Sequence, residues 1–344
     1  MLKTPGHAPL AVLTRGGITE SVHYGSVAVT DAQGNVLHSV GAPDAITFTR
    51  SSLKPFQAMP VLASGAAAAF GYGDRELALM CASHSGEPRH VEVVSGMLAA
   101  IGCTAEHLQC GVHAPYFYQA LEQTPPPGAV FSTLQHNCSG KHSGMLTYCR
   151  HCGEPVDNYL DPLHPLQRAI RHSVGHFTGV AESELTTGID GCSAPNYAMP
   201  LSGLARAFAR LAADREDDHY GDAPQRLYAA MTAHPELVSG ERRSDQLAMQ
   251  TGRGDWATKV GAEGVQGIAV RSRGIGIAIK IADGNTRALH PVVVSVLQQL
   301  GLLDDPPATP LAPYYEPPQR NLRGLQTGVI TPVFELAAAG AGAS

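Results

Sequence analysis

Extended, β-branched runs stand at the two ends of this chain. Near the start come "LAVLTRGG", "SVHYGSVAVTD" and "NVLHSVG", the last two separated by the turn-forming "DAQG". Near the end come "GVQGIAVRSRG" and "IGIAIKIADG", then a helical "NTRALHPVVVSVLQQLG". Short apolar runs bounded by Gly, Asp and Asn read as antiparallel strands. Between them, "QAMPVLASGAAAAF", "DRELALMCAS", "PRHVEVVSGMLAAIG" and "YAMPLSGLARAFARLAAD" carry apolar residues at three- and four-residue spacing, the period of a helix. The arrangement predicts an α+β protein. One antiparallel sheet draws on about residues 8–50 and 255–335, a helical region fills about 51–254, and a cleft opens at the seam. The reading is one catalytic unit over 1–335, with 336–344 a disordered tail; the proline-rich "DDPPATPLAPYYEPPQ" runs extended over the surface.

The 344 residues, 44% of them hydrophobic, suffice for a large core. The net charge of −6 contains no dense basic run, so neither nucleic acid nor an anionic membrane surface is an expected partner, and a small molecule is. No stretch has the length of apolar sequence a membrane span needs, and the N-terminus lacks a signal-peptide core, so the expected location is cytoplasmic. Seven cysteines are an odd number, which argues for reduced thiols, some of them metal-bound, over a disulfide framework.

Lysine usage narrows the chemistry. There are 19 arginines and only five lysines: Lys3, Lys54, Lys141, Lys259 and Lys280. Only lysine sheds its proton near neutrality, so a chain that uses arginine for general charge reserves its lysines for other work. Lys54 closes a Ser-x-x-Lys in "TRSSLKPFQ", a spacing that in a helix sets Ser51 and Lys54 on one face. A neutral amine there activates a serine hydroxyl, while the simpler reading is a capped helix start. Pro55 falls in the first turn, where it costs no hydrogen bond. "CASHSGEP" offers the hydroxyls of Ser83 and Ser85 and either turns on the surface or lines a pocket; His84 reads as a structural histidine. In "TKVGAEGV", Lys259 precedes glycines that admit close approach. Ser-x-x-Lys followed late by Lys-x-Gly is the order of penicillin-recognising serine enzymes, although strict Ser-Asp-Asn and Lys-Thr-Gly elements are absent.

"HNCSGKHSGM" holds Cys138, Lys141 and His142, and "GIDGCSAPNY" holds Asp190 and Cys192. The Gly-x4-Gly-Lys spacing of a phosphate loop fails here. Two readings stay open for the cysteines: buried small apolar residues, or zinc ligands on separate loops. "CRHC", Cys149 and Cys152, lacks the second pair of a zinc finger and lies on a helical segment.

Taken in order, "TRGGITESVHYGSVAV", "TFTRSSLKPFQA", "CASHSGEPRH", "HNCSGKHSGML", "GIDGCSAPNYAMPL" and "TKVGAEGV" resemble the Rhizobium-etli-type L-asparaginases (class 3, asparaginase II family), from about residue 10 to about 335. The resemblance implies a fold similar to serine β-lactamases and glutaminases, hydrolysis of the asparagine side-chain amide, and a homodimer. It also implies two Ser-Lys tandems, Ser51 with Lys54 and Ser83 with Lys259, and zinc held by Cys138, Lys141 and Cys192 with Asp190 close by. The two tandems can exchange roles. Arg50 and Asp190 are the candidates for the charged ends of the amino acid. Rival readings are a penicillin-recognising or esterase-like serine hydrolase, and a non-catalytic zinc-stabilised binding protein.

Overall fold

The structure is a computed structural model that describes residues 4–339. The chain is α+β, as the patterning predicts. β1 (Ala8–Arg15), β2 (Ile18–Asp31) and β3 (Val36–Val40) come from the start of the chain. A short β4 (Ile46–Phe48) follows, and β5 (Thr186–Ile189) and β6 (Pro195–Pro200) come much later. β7 (Trp256–Gly261), β8 (Val265–Val270), β9 (Ile275–Ile281), β10 (Pro318–Arg320), β11 (Gln326–Pro332) and β12 (Ala337–Ala338) complete the set. The main sheet runs β10-β11-β1-β2-β9-β8-β7, antiparallel throughout, with β3 on the second half of the long β2 and β12 on β3.

The helices are α1 (Lys54–Ala63), α2 (Ala66–Ala69), α3 (Asp74–Met80), α4 (Pro88–Ala100), α5 (Tyr116–Ala120) and α6 (Ser139–Cys152). After them come α7 (Pro165–Thr178), α8 (Leu201–Ala212), α9 (Ala223–Ala233), α10 (Pro235–Val238), α11 (Ser244–Gly252) and, behind the sheet, α12 (Thr286–Gln299). None is long and apolar enough to cross a membrane among the described residues.

Two cores result. One lies between α12 and the sheet face formed by Val27, Val29, Ile277 and Ile279; the other joins the opposite side to the helical region through α8. α8 lies almost on the backbone of β9, because Gly276 has no Cβ: a methyl there would stand 1.9 Å from the Ala205 carbonyl. α1 passes through Pro60, which cannot donate to the carbonyl of Phe56. The Ser173 hydroxyl of α7 donates to that carbonyl instead, at 2.8 Å, so the helix carrying Lys54 continues unbroken.

Three expectations need correction. The region expected to be helical contains β5 and β6, which join β4 in a separate three-stranded sheet. "YAMP" extends because Pro200, lacking an N–H, sits where α8 begins rather than within it. The proline-rich segment forms two 3-10 turns, Pro306–Ala308 and Ala312–Tyr314, with Leu311 buried, since proline suits the first turn of a helix and the apolar residues between find the core. The start of the expected tail is ordered, with Ala337 opposite Ser39 and Ala338 opposite His38; residues 340–344 lie outside the described part.

Candidate active site

A cleft of about 410 Å³ opens where β7 meets the start of α1 and the segment after α3, and the side chains of Ser51 and Ser83 both line it. Ser51 sits in a 3-10 turn, Arg50–Leu53, that leads directly into α1. The turn is forced: Arg50 has φ +51, a left-handed conformation that costs a non-glycine residue about 1–3 kcal/mol and persists only where surroundings impose it. Asn196 of β6 imposes it by accepting from the Arg50 N–H at 3.0 Å and donating to the Arg50 carbonyl at 3.1 Å. Thr49 is tied to the Tyr197 carbonyl by both its N–H and its hydroxyl. On the other side β7 comes into contact at Gly261, where a Cβ would meet the Thr49 carbonyl at 2.7 Å and the Ser52 nitrogen at 3.2 Å.

"CASHSG" proves to be pocket wall, buried from Cys81 to Gly86. The Ser83 N–H donates to Val238 at 2.9 Å, and the Ser83 carbonyl accepts from the Arg243 guanidinium at 2.6 Å. His84 is structural: fully buried, stacked on His90 at 4.8 Å, paired with Ser139 at 2.8 Å, and held neutral by burial first and by His90 and Lys54 next.

Beneath the two hydroxyls lie the two lysines, both fully buried. The Lys54 Nζ donates to the Ser83 hydroxyl at 2.9 Å, to the Ala82 carbonyl, and more weakly to the Asn137 carbonyl at 3.5 Å. The amine three residues after Ser51 thus has Ser83 as its hydroxyl partner, so the contact runs across the two expected tandems. Lys259 makes no hydrogen bond to Ser83. It donates to the Val260 carbonyl at 2.7 Å and faces the Asp245 carboxylate at 3.3 Å.

The metal-ligating candidates converge as a second cluster beside the first. Lys141, on the first turn of α6, donates to the Cys192 sulfur at 3.0 Å. Cys192 stays a thiolate, first because Cys138 donates to it and then, against burial, because Lys141 stands beside it. Cys138 is correspondingly pushed up, by that same bond and by burial. Burial opposes the Lys141 charge, yet the two sulfurs and Asp190 hold it protonated. Next to them His142 donates to or accepts from Tyr159 through Nδ1 at 2.7 Å, while its buried Nε2 has no well-aligned hydrogen bond and Cys192 lies alongside the ring. Two buried sulfurs, with an ammonium and an imidazole beside Cys192, fit a cation. A zinc ion would replace the protons that now balance them. The fit depends on lysine, because no three His, Cys, Asp or Glu side chains among the described residues gather for a metal.

The two clusters share a wall. Arg50 donates through Nε to Asp190 at 2.8 Å, and Asp190 lies two residues before Cys192. Arg50 and Asp190 therefore neutralise one another as found. The cleft arginines are Arg242 and Arg243. Arg243 is occupied by two carbonyls and the Tyr116 ring; the Arg242 guanidinium has no partner among the described residues. Sequence reading missed Arg242, Arg243 and Asp245, which carry no local motif, and passed over Asn196 within "GIDGCSAPNY". Cys149 is buried and Cys152 exposed at the end of α6, both free.

The family model for L-asparaginase II matches residues 11–332. No curated protein matches the sequence. Among solved structures, similarity extends to a protein assigned as a β-lactamase in Bacteroides dorei DSM 17855, at 10% identity and TM-score 0.44, over 80% of this chain and 93% of that one. It extends also to Mglu in its native form (15%, 0.38, 81% of this chain and 66% of that one) and to a β-lactamase from Mycobacterium bovis (14%, 0.34, 80% and 94%). Likeness this distant carries no function across.

Proposed function

The chain belongs to the L-asparaginase II family, and from that premise we propose that it hydrolyses the side-chain amide of L-asparagine to L-aspartate and ammonia through a serine-bound acyl intermediate. The order of its serine, lysine and cysteine motifs supports the Rhizobium-etli-type branch of that family. The observation that carries the reading is the fully buried Lys54 amine 2.9 Å from the Ser83 hydroxyl, at the floor of a cleft that also holds Ser51.

Ser51 is the nucleophile. Its hydroxyl has no hydrogen-bond partner among the described residues, and it lines the cleft on the turn that leads into α1. As the bond from Ser51 Oγ to the carboxamide carbon forms, the proton passes through the Ser83 hydroxyl to neutral Lys54. Lys54 returns it by the same route to the amide nitrogen, the C–N bond breaks, and ammonia leaves. Water then attacks the ester under the same base, releasing aspartate and restoring Ser51. Arg242, free and facing the cleft, takes the α-carboxylate; the Arg50–Asp190 pair fixes the Ser51 turn. Cys138, Lys141 and Cys192 would hold zinc, which when bound supplies positive charge against the two sulfurs and fastens the loop bearing Asp190 to α6.

The test is ammonia release from asparagine, run beside glutamine and a chromogenic β-lactam, with Ser51→Ala, Ser83→Ala and Lys54→Met in parallel. Asparagine turnover, an aspartyl adduct trapped on the Ser51 peptide, and near-total loss in Ser51→Ala are expected. β-Lactam hydrolysis without ammonia release overturns the substrate, and an adduct on Ser83 overturns the choice of nucleophile. Activity untouched by Ser51→Ala and Lys54→Met leaves a binding protein.

A further inference from the structure

The resemblance pairs Lys259 with Ser83, the two relaying protons and holding Lys54 neutral through the neighbouring positive charge; the surroundings of Lys259 keep the charge and not the pairing. Asp245, in the first turn of α11, is wholly buried and receives four donors. Its Oδ1 accepts from the Thr258 hydroxyl at 3.0 Å and the Gln266 amide at 3.1 Å; its Oδ2 accepts from the Val260 N–H at 2.9 Å and faces the Lys259 ammonium at 3.3 Å. A buried carboxylate with that many donors stays ionised, and an ionised carboxylate accepts only. Its ammonium neighbour is fully buried and has one other acceptor, the Val260 carbonyl, with no bond to either serine.

We propose that Asp245 is a positioning residue that keeps Lys259 a buried ammonium at neutral pH, so that Lys259 acts on the reaction as a positive charge beside Lys54 and not as a second base. This rests on the hydrolase reading above. Two buried amines close enough to repel one another cannot both hold a proton cheaply. A partner that fixes the proton on one leaves the other free to be the base.

The groups around the pair are consistent. Lys259 is faced by Asp245 from α11, Lys54 from α1, Arg243 from the preceding turn and the Cys81 thiol at the end of α3; Asp245 is further faced by His290 of α12 and by Tyr314. Burial lowers Lys259 to about 8, with Lys54 and Arg243 pushing the same way and Asp245 opposing them. Without the carboxylate nothing opposes the fall. Asp245 also fastens Val260 of β7, one residue before the Gly261 contact with the serine turn, so a purely structural role is the alternative to exclude.

With only five lysines, the side-chain nitrogens of the full-length protein, 15N-labelled at lysine, can be followed one by one in a pH titration. In the unsubstituted protein the Lys259 nitrogen should be an ammonium at pH 7. In Asp245→Asn it should lose its proton at least one pH unit lower, and the rising limb of the kcat/KM profile should move at least one unit to higher pH. Asp245→Glu, which restores the charge, should return the profile toward the original. A Lys259 that is neutral at pH 7 in the unsubstituted protein overturns the proposal. So does an Asp245→Asn protein that loses activity equally at every pH with its Lys259 titration unmoved. Should Asp245→Asn fail to fold, Lys259→Met gives the rate measurement: an alkaline shift supports the fixed charge, and an unshifted profile refutes it. Absence of ammonia release by the unsubstituted protein would count against the function, while the nitrogen titration would still decide the role of Asp245.

Discussion

Replacing Gly261 by alanine isolates the seam between β7 and the nucleophile turn. The added methyl would stand 2.7 Å from the Thr49 carbonyl and 3.2 Å from the Ser52 nitrogen, both backbone atoms that no rotamer change can move. Ordinary contact begins at 3.4 Å, so the two segments must part by about 0.7 Å. The Thr49 carbonyl cannot yield easily: it accepts from the Ser52 N–H at 3.2 Å and the Ser52 hydroxyl at 2.6 Å, and Thr49 itself is bound to β6. Overpacking of this kind costs roughly 1–3 kcal/mol of stability, which a chain this size should survive. Catalysis should suffer more, because a displacement near 1 Å costs about a hundredfold in rate, or about 2.7 kcal/mol of barrier. The assay is kcat and KM for ammonia release, with thermal unfolding alongside. Gly96→Ala in α4, where a methyl meets nothing within 4 Å, is the control and should gain about 0.5–1 kcal/mol in stability with unchanged kcat. A Gly261→Ala enzyme with kcat within twofold of the parent would refute the argument that this contact sets the geometry of Ser51.

Three other outcomes follow. Lys54→Arg should fold, by circular dichroism, yet lose about 10²–10⁴-fold in kcat, since a guanidinium is never a base near neutrality; retention of a tenth of the activity would remove Lys54 from that role. Arg242→Gln should raise KM for asparagine at least tenfold with kcat largely kept, and leave asparaginamide, which lacks the carboxylate, unaffected. Burial lowers His90 to about 4, so between pH 6.5 and 4 the unfolded chain binds a proton that the native protein does not; the stability present above pH 6.5 is lost as pH falls through that window. At about 1.36 kcal/mol per unit this amounts to roughly 3 kcal/mol from His90, and urea midpoints that coincide at pH 7 and pH 5 would contradict it.

Much of the fold was legible because strand and helix periods are local properties. "IGIAIKIADG" and "SVHYGSVAVTD" read as strands, and they pair as β9 with β2 although some 250 residues separate them. What misled was proline, which blocks a backbone donor without saying what the segment does instead. "YAMP" therefore became a strand end, and the proline-rich stretch became two turns packed under α12.

The sequence by itself determined which residues are chemically able to act: five lysines in a chain that prefers arginine, serines three residues from one of them, and cysteines set near another. Tertiary structure alone decided who faces whom. A lysine arm reaches several partners, and spacing along a helix names only the neighbours on that helix. Residue 54 meets residue 83, and residue 259 meets residue 245, because the packing of α1 on the segment after α3, and of α11 on β7, left each amine one low-dielectric place in which its donors could be satisfied.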